Sequence, residues 1–177
     1  MLYDCRKTGP AAVMISGVKE NLRIEVFPAK HTYEVMPVLQ SVYPTLEAAD
    51  SVLWTWLSNP NPIAQPPITI LNAGWLEHTG GDFLFYLEGM TPAVTRVVDA
   101  LDEERIAVGA AFGLQLQAHA DLTQLWYGHQ SVRLQTDKPA RELAYATIKC
   151  EPELDSRYLT EDLPFGLVPW ENMAKMV

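Results

Sequence analysis

The stretch TPAVTRVVDALDEERIAVGAAFG, residues 91–113, contains the clearest secondary-structure signals of the sequence. Thr91 is a favoured helix N-cap, Pro92 suits the first helical position, and Gly113 follows the last apolar turn. Between these signals an apolar stripe recurs at helical spacing; its members are Val94, Val97, Val98, Leu101, Val108 and Phe112. At 1.5 Å per residue this helix would be about 30 Å long, the diameter of a small domain. The stretch therefore predicts a helix that spans the core.

Helical patterns also occur on both sides of this stretch. Thr32 can cap a helix whose apolar face runs to Tyr43, and a second pattern covers residues 46–56. The proline-dense segment SNPNPIAQPP, residues 58–67, predicts a break, because each internal proline removes a donor and clashes with the preceding turn. Shorter helices are predicted over residues 68–74, near Asp121, near residues 137–138 and from Pro169.

The N-terminal region carries a β pattern instead. The stretches AAVMISG, residues 11–17, and NLRIEVF, residues 21–27, are typical of short strands, and the second alternates apolar and charged residues. The segment GVKEN contains glycine and asparagine, so it predicts a hairpin turn between them. A small β-containing piece followed by a helical body is expected.

Length and charge limit the classes of function. A chain of 177 residues is long enough for one compact domain with a sizeable core. Its net charge of −9, with no basic stripe, argues against nucleic acid as a partner. An anionic substrate would have to be attracted by individual arginines rather than by the overall field.

Cysteine usage and hydropathy indicate a cytoplasmic protein. Cys5 and Cys150 lie far apart and form no CxxC motif, so a disulfide framework is not expected. No apolar run approaches the roughly 18 to 20 residues that cross a bilayer, and the N-terminus lacks the apolar core of a signal peptide. We therefore expect no membrane partner.

Several familiar chemical motifs are absent from the sequence. The four histidines have neither HxH nor HxxxH spacing and no carboxylate completes a ligand set, so no metal is expected. The sequence contains no GxSxG elbow, no Walker loop and no GxGxxG turn. It thus carries no dinucleotide fingerprint of its own.

One further stretch, SRYLTEDLPFGLVPW at residues 156–170, combines charge with an apolar segment. Arg157 and Asp162 are five residues apart, so a turn could direct both side chains towards one pocket. Arginine matches a carboxylate, and aspartate can hold an amine or orient a base. A solvated loop pair is the competing interpretation, and the residues alone leave both open.

Four stretches together resemble the opine dehydrogenase family, which includes octopine and nopaline dehydrogenases. They are VKENLRIEVFPAKHT, NPNPIAQPPITILNAG, HTGGDFLFYLEGMTPAVTRVVDALDEERIAVGAAFG and RYLTEDLPFGLVPW. Their order and approximate spacing also fit the family. The resemblance covers nearly the whole chain.

The resemblance implies a mainly α fold, a helical dehydrogenase C-terminal domain of the 6-phosphogluconate dehydrogenase type. Residues 1–45 would be a small β-hairpin and β-α remnant of a nucleotide-binding, Rossmann-like domain. Residues 46–177 would be the α-helical substrate and catalytic domain. Because family members usually continue with further helix beyond GLVPW, the resemblance also implies that this domain is shortened at its C-terminus.

The resemblance further implies an oxidoreductase acting on the CH–NH bond, which reductively condenses an amino acid with a 2-oxo acid. Carried over, Asp162 orients the catalytic group or the substrate amine, and Arg157 meets the substrate carboxylate. Asn59, Asn72 and Trp126 are further candidates for substrate binding. The cofactor expected for the complete enzyme is NAD or NADP, held by a Rossmann-type half that a separate chain could supply, and exposed helical faces favour a homodimer.

The sequence departs from the family at Gln65, where many members have a catalytic histidine. A glutamine amide can donate a hydrogen bond but cannot exchange a proton near neutral pH. Gln65 is therefore a candidate catalytic position with altered chemistry. Two alternatives stay open, a non-catalytic helical module for binding or dimerisation, and an inert fragment derived from the family.

Overall fold

The computed structural model describes residues 2–127 and 145–177. The strands are β1 (Tyr3–Gly9), β2 (Ala12–Val18), β3 (Arg23–Ile24) and β4 (Glu47–Ala48). The helices are α1 (Thr32–Val42), α2 (Val52–Leu57), α3 (Asn61–Leu71), α4 (Ala73–Thr79), α5 (Pro92–Ala111), α6 (His119–Tyr127), α7 (Arg157–Thr160) and α8 (Val168–Ala174). A 3₁₀ turn, Ala29–His31, precedes α1, and a π-helical turn, Leu163–Leu167, joins α7 to α8. The fold is mainly α with a small β-hairpin, as predicted.

The hairpin is formed by different segments from those predicted. β1 and β2 pair antiparallel from Tyr3 opposite Val18 to Gly9 opposite Ala12. The expected hairpin between residues 11–17 and 21–27 was wrong, since only β3 forms in the second segment and it pairs parallel with β4. The sequence of β1, YDCRKTG, gives no apolar alternation, because both faces of the hairpin are partly open to solvent.

Helix α5 confirms the central prediction. The Thr91 hydroxyl accepts a hydrogen bond from the Val94 amide at 3.4 Å, and Gly113 ends the helix at a φ of 75°, which favours glycine. Val98 is buried as expected, but Val97 is 41% exposed. The buried face of α5 passes instead through Asp102, Arg105 and Gly109.

Helix α3 overturns the expected proline break. It runs through Pro62, Pro66 and Pro67, and eight of its 11 residues are buried. Pro62 occupies the first turn, where a missing amide donor costs nothing. Burial of the apolar α3 side chains offsets the donors lost at the two internal prolines. The predicted helix at 68–74 is divided between α3 and α4, and the pattern at 46–56 yields β4 followed by α2.

Two clusters of buried side chains form the core. The larger contains Ile68, Phe85, Val98 and Tyr158 and joins α3, α5 and α7. The smaller contains Leu57, Ile63 and Trp170 and joins α2, α3 and α8. Helix α8 begins next to Pro169, and α6 includes Asp121, as predicted; the helix predicted near residues 137–138 lies outside the described residues.

Candidate functional site

A cavity of about 520 Å³ lies between the N-terminal hairpin and the helical body. Its walls are formed by β1, the segment after β2, helices α2, α3, α6 and α7, and the aromatic residues Tyr86 and Tyr145. Two backbone-directed hydrogen bonds join the two sides of this cavity: the Glu20 amide donates to the Trp126 carbonyl at 2.9 Å, and the Asn21 side chain donates to the Leu125 carbonyl at 3.2 Å. The cavity is therefore lined by side chains far apart in sequence.

The cavity is basic although the chain is acidic. Four cationic side chains line it, Arg6, Lys19, Arg23 and Arg157, whereas Asp4 is the one carboxylate among the described lining residues. Because the net charge of the chain is −9, this local excess of cations cannot follow from overall composition. Cations that converge on a partly enclosed cavity favour an anionic ligand.

Lys19 is held against an aromatic ring at the cavity wall. Its Nζ lies 3.5 Å from the centroid of the Trp126 ring. Burial lowers the pKa of Lys19 to about 8, and the Asp4 carboxylate opposes this change. The contact with Trp126 supplies part of the attraction that water would otherwise give the ammonium group.

Arg157 lines the cavity, but its predicted partner does not. The Arg157 Nε lies 3.6 Å from a Glu161 carboxylate oxygen, and both side chains are at least half exposed. Asp162 stands one residue further on, outside the lining, with a buried Oδ2 that has no hydrogen-bond partner within the described residues. Burial raises the pKa of Asp162 to about 6, while Arg157 lowers it and Glu161 raises it further. The turn separates the two side chains instead of directing both into one pocket.

Gln65 is buried in the cavity wall and contacts a tyrosine. Its Nε2 donates to the Tyr86 hydroxyl at 3.2 Å. Its Oε1 is buried and has no hydrogen-bond partner among the residues described. Thus one end of the amide is engaged, and the other end can accept a hydrogen bond from a ligand.

Four tyrosines of the helical part line the same cavity as this glutamine: Tyr86, Tyr127, Tyr145 and Tyr158. The Tyr127 and Tyr145 hydroxyls are 2.8 Å apart, and the Tyr145 ring packs on Tyr86 with a centroid distance of 5.1 Å. Tyr158 is 2% exposed, yet its hydroxyl has no hydrogen-bond partner in the described part of the chain. Burial raises the pKa of Tyr86 and of Tyr158, so both phenols stay protonated at neutral pH.

A buried ion pair on α5 fixes the neighbouring wall. The Arg105 guanidinium donates to Asp102 at 2.8 Å, to the Leu57 carbonyl at 2.7 Å and to the Gln117 carbonyl at 2.5 Å. The other Asp102 oxygen accepts the His119 amide at 2.7 Å. This network holds the start of α6, and with it the His119 side chain that lines the cavity. Burial lowers the pKa of His119, with smaller and opposite effects from Asp102 and Arg105.

The structure brings together four of the six residues expected to form the site. Asn59, Gln65, Trp126 and Arg157 all line the cavity. Asn72 does not; its side-chain amide donates to the carbonyls of Ile68 and Gly89, both within 2.9 Å, and so connects the end of α3 to the chain before α5. Asp162 is the other exception.

Sequence reasoning missed the N-terminal cations and the tyrosines. Lys19 lies in GVKEN, which was interpreted as a turn, and Arg6 lies in a strand that gave no β pattern. Tyr86 and Tyr158 occur within apolar runs and are indistinguishable there from core residues. The sequence FLFYLEGM, in which two phenylalanines and Tyr86 fall within four residues, is the one signal of an aromatic cluster.

The resemblance to opine dehydrogenases implies a dinucleotide cofactor for the complete enzyme. A dinucleotide pyrophosphate is held at a glycine-rich turn from strand to helix. Among the described residues the glycines with positive φ are Gly80, Gly81 and Gly113, which follow α4 and α5. These residues therefore do not fit a dinucleotide pyrophosphate.

Metal-binding groups and membrane-spanning helices are both absent from the described part of the chain. Residues 2–127 and 145–177 contain no group of three or more histidine, cysteine or acidic side chains arranged to hold a metal ion. No helix in these ranges combines the length and apolarity needed to span a bilayer.

Comparison with known proteins gives one consistent family. The sequence model described as "NAD/NADP octopine/nopaline dehydrogenase, alpha-helical domain" matches residues 48–177. Over 177 residues, all of this chain and 49% of the relative, the chain is 33% identical to an opine dehydrogenase from Arthrobacter sp. (strain 1C). It is 25% identical to vitopine synthase from Allorhizobium ampelinum, over 98% of this chain and 48% of that protein. It is also 28% identical to protein ocs from Agrobacterium tumefaciens (strain Ach5), over 99% and 48%. The chain thus spans about half the length of the curated relatives it matches.

Proposed function

The chain belongs to the octopine and nopaline dehydrogenase family, and we propose that it forms the substrate-binding part of an opine-dehydrogenase-like oxidoreductase. The substrates proposed are an amino acid and a 2-oxo acid, joined through a new C–N bond. Residues 46–177 would be the substrate domain, and residues 1–45 would belong to the nucleotide-binding part. NAD or NADP would be held by a nucleotide-binding half beyond the residues described here.

The observation that carries this proposal is the excess of cations in the cavity. Both substrates and their condensed product are carboxylates, and the product carries two. Arg6 and Arg157 reach the cavity from different elements, β1 and α7, so each can bind one carboxylate. Within the described residues Arg6 makes no ion pair, whereas Arg23 is paired with Glu47 at 3.3 Å. Arg6 is therefore the cation most available to a ligand.

The remaining polar groups can orient a bound amine. The Gln65 Oε1 is an acceptor that needs a donor, and an amino acid in its reactive, uncharged form offers N–H groups. Holding that nitrogen beside a bound 2-oxo acid would bring the two reacting atoms, the amine nitrogen and the oxo carbon, together in one enclosed space. Orientation of this kind supplies much of the rate in a condensation between two small molecules.

Calorimetric titration of the purified chain with pyruvate and with a panel of amino acids tests the proposal. Arg157→Ala should weaken binding of the amino acid by about 1–2 kcal/mol, less than a fully buried charge-assisted bond contributes, because the Arg157 side chain is half exposed. Arg96→Ala is the matched control, since Arg96 lies on the exposed face of α5 and does not line the cavity. Binding that is equal in wild type and in Arg157→Ala would remove Arg157 from the site.

A second candidate function is carboxylate binding without chemistry. Gln65 favours it, because the family resemblance implies a histidine at that position and a glutamine cannot exchange a proton near neutral pH. Fusing this chain to the nucleotide-binding half of the Arthrobacter relative would separate the two candidates. NADH oxidation that requires both an amino acid and pyruvate supports the enzyme, and tight pyruvate binding without turnover supports the binding module.

A further inference from the structure

Two buried phenol hydroxyls line the same cavity with unused hydrogen-bonding capacity. Tyr158 is 2% exposed, and its hydroxyl has no hydrogen-bond partner among the described residues. Tyr86 is 8% exposed, and its hydroxyl accepts from the Gln65 amide at 3.2 Å, which leaves its own proton available to an acceptor. A buried hydroxyl without a partner is destabilising, so the Tyr158 hydroxyl, together with the unused proton of the Tyr86 hydroxyl beside the same cavity, indicates a ligand that accepts both protons.

The rings that carry these hydroxyls are fixed by one shared neighbour. Phe85 is fully buried, and its ring lies 4.9 Å from Tyr86 and 4.8 Å from Tyr158 between centroids. Tyr145 packs on the other side of Tyr86 at 5.1 Å. Aromatic packing on both sides limits the movement of the rings, and the Gln65 amide further limits that of the Tyr86 hydroxyl. The two donors are therefore held in place before a ligand arrives.

Arg6 lines the same cavity as both phenols and supplies it with a positive charge. Burial is the main cause that raises the pKa of each phenol, and the positive charge of Arg6 acts against this rise at both Tyr86 and Tyr158. Two neutral donors beside one guanidinium match a ligand that has a carboxylate and one additional oxygen acceptor. A 2-oxo acid carries that pair of groups on adjacent carbons, whereas a simple carboxylic acid lacks the second.

We propose that Arg6 binds the carboxylate of the 2-oxo acid and that the hydroxyls of Tyr86 and Tyr158 donate to its oxo oxygen, with Gln65 positioning Tyr86. This inference rests on the proposed function and adds to it the residues that distinguish a 2-oxo acid from other carboxylates. During attack by the amine, the electron pair of the C=O bond moves to that oxygen, whose growing negative charge both hydroxyls stabilise. The two tyrosines would then contribute to catalysis by hydrogen bonding, without exchanging a proton.

The test compares pyruvate with propanoate, which has the same carboxylate and chain length but no oxo oxygen. Calorimetric titration of the wild-type chain should give a pyruvate affinity about ten- to a hundredfold higher than the propanoate affinity, the range of two net hydrogen bonds. Tyr158→Phe and Tyr86→Phe should each lower the pyruvate affinity about three- to tenfold and leave the propanoate affinity unchanged. Gln65→Leu should lower the pyruvate affinity in the same selective way.

Tyr33→Phe is the control, because Tyr33 is 82% exposed on α1 and away from the cavity; both affinities should stay at the wild-type value. Far-UV circular dichroism and the thermal midpoint of each variant verify that the fold is kept. Equal affinities for the two acids in the wild type, or an equal loss of both in Tyr158→Phe, would overturn the inference and leave the carboxylate site standing. If the wild type binds neither acid, the proposed function fails and the inference fails with it.

Discussion

Replacing Arg105 by methionine should destabilise the protein strongly, since this guanidinium is 1% exposed and makes three hydrogen bonds. The variant leaves the Asp102 carboxylate buried without its cation, although the His119 amide still donates to it, and it leaves the buried Leu57 carbonyl without the Arg105 donor. Breaking one side of a buried pair costs about 3–5 kcal/mol. That is a large part of the roughly 5–15 kcal/mol by which a typical domain is stable.

The double variant Asp102→Leu with Arg105→Met tests the reason for this loss. It removes both buried charges, so its cost should be close to that of either single variant, about 3–5 kcal/mol, and far below the sum of roughly 6–10 kcal/mol. The residual cost of the double variant comes from the Leu57 carbonyl, which loses the Arg105 donor, and from the His119 amide, which loses the Asp102 acceptor.

Urea unfolding followed by circular dichroism at 222 nm measures these free energies. Arg96→Met on the exposed face of the same helix is the matched control and should change the free energy of unfolding by less than about 0.5 kcal/mol. A buried, coupled Asp102–Arg105 pair is contradicted if Arg105→Met lowers the free energy of unfolding by less than about 1 kcal/mol, or if the decreases of the two single variants add fully in the double variant.

Three further predictions concern the cavity and its support. Pyruvate binding should weaken as pH rises through about 8, because burial lowers the Lys19 pKa to about 8 and the ammonium group is charged only below that pH. Calorimetry on Lys19→Met should show that this pH dependence has disappeared. Asp162→Asn should raise the free energy of unfolding by about 1–2 kcal/mol at pH 7.5 and by almost nothing at pH 4. The Asp162 pKa of about 6 in the folded state, against 3.8 in the unfolded state, means that the folded state favours the protonated acid. The stability of the wild type is therefore fully present below pH 3.8 and is lost as pH rises through 6. A urea series in which the variant gains nothing at pH 7.5 would contradict this. Gly166→Ala should cost about 1–3 kcal/mol of stability, because the new Cβ would collide with the Pro62 ring. Gly74→Ala should instead stabilise the protein by about 0.5–1 kcal/mol, because the new methyl group in α4 meets open space. Equal thermal midpoints for the two variants would contradict this prediction.

The elements that sequence predicted well are those specified locally. Helix α5 has a threonine cap, a proline in its first turn and a glycine beyond its end, and all three signals act within one turn of the residue that carries them. The hairpin was misassigned because β1 is polar and both of its faces are partly accessible, so no alternation marks it. Helix α3 was missed because its prolines forbid a helix locally, and only its burial in the core outweighs that preference.

The residues of the site divide in the same way, into those that the sequence identified and those whose position depends on tertiary packing. The family resemblance grouped Gln65 and Arg157, which do line one cavity, but Asp162 stands outside that lining. The pair Asp102 and Arg105 lies in the charged run DEER, whose i, i+3 spacing is usual for an exposed face of a helix. The segment 114–118 contributes to their burial, because Leu116 lies against Gly109 of α5 and the Gln117 carbonyl accepts from Arg105; no local pattern encodes these contacts. The catalytic and binding roles of the site residues, and the homodimer expected from the sequence, stay predictions.

The most direct test of the central claim, that this cavity binds the carboxylate substrate, is a nuclear magnetic resonance titration with pyruvate that follows the tryptophan indole N–H signals. Trp54 and Trp126 line the cavity, whereas Trp75 stacks on Phe83 and Trp170 is buried in the smaller core cluster. Pyruvate should produce saturable shifts of the Trp54 and Trp126 signals, while those of Trp75 and Trp170 stay in place. Saturable shifts at Trp75 or Trp170 with Trp54 and Trp126 unmoved, or no shift at any indole, would contradict it.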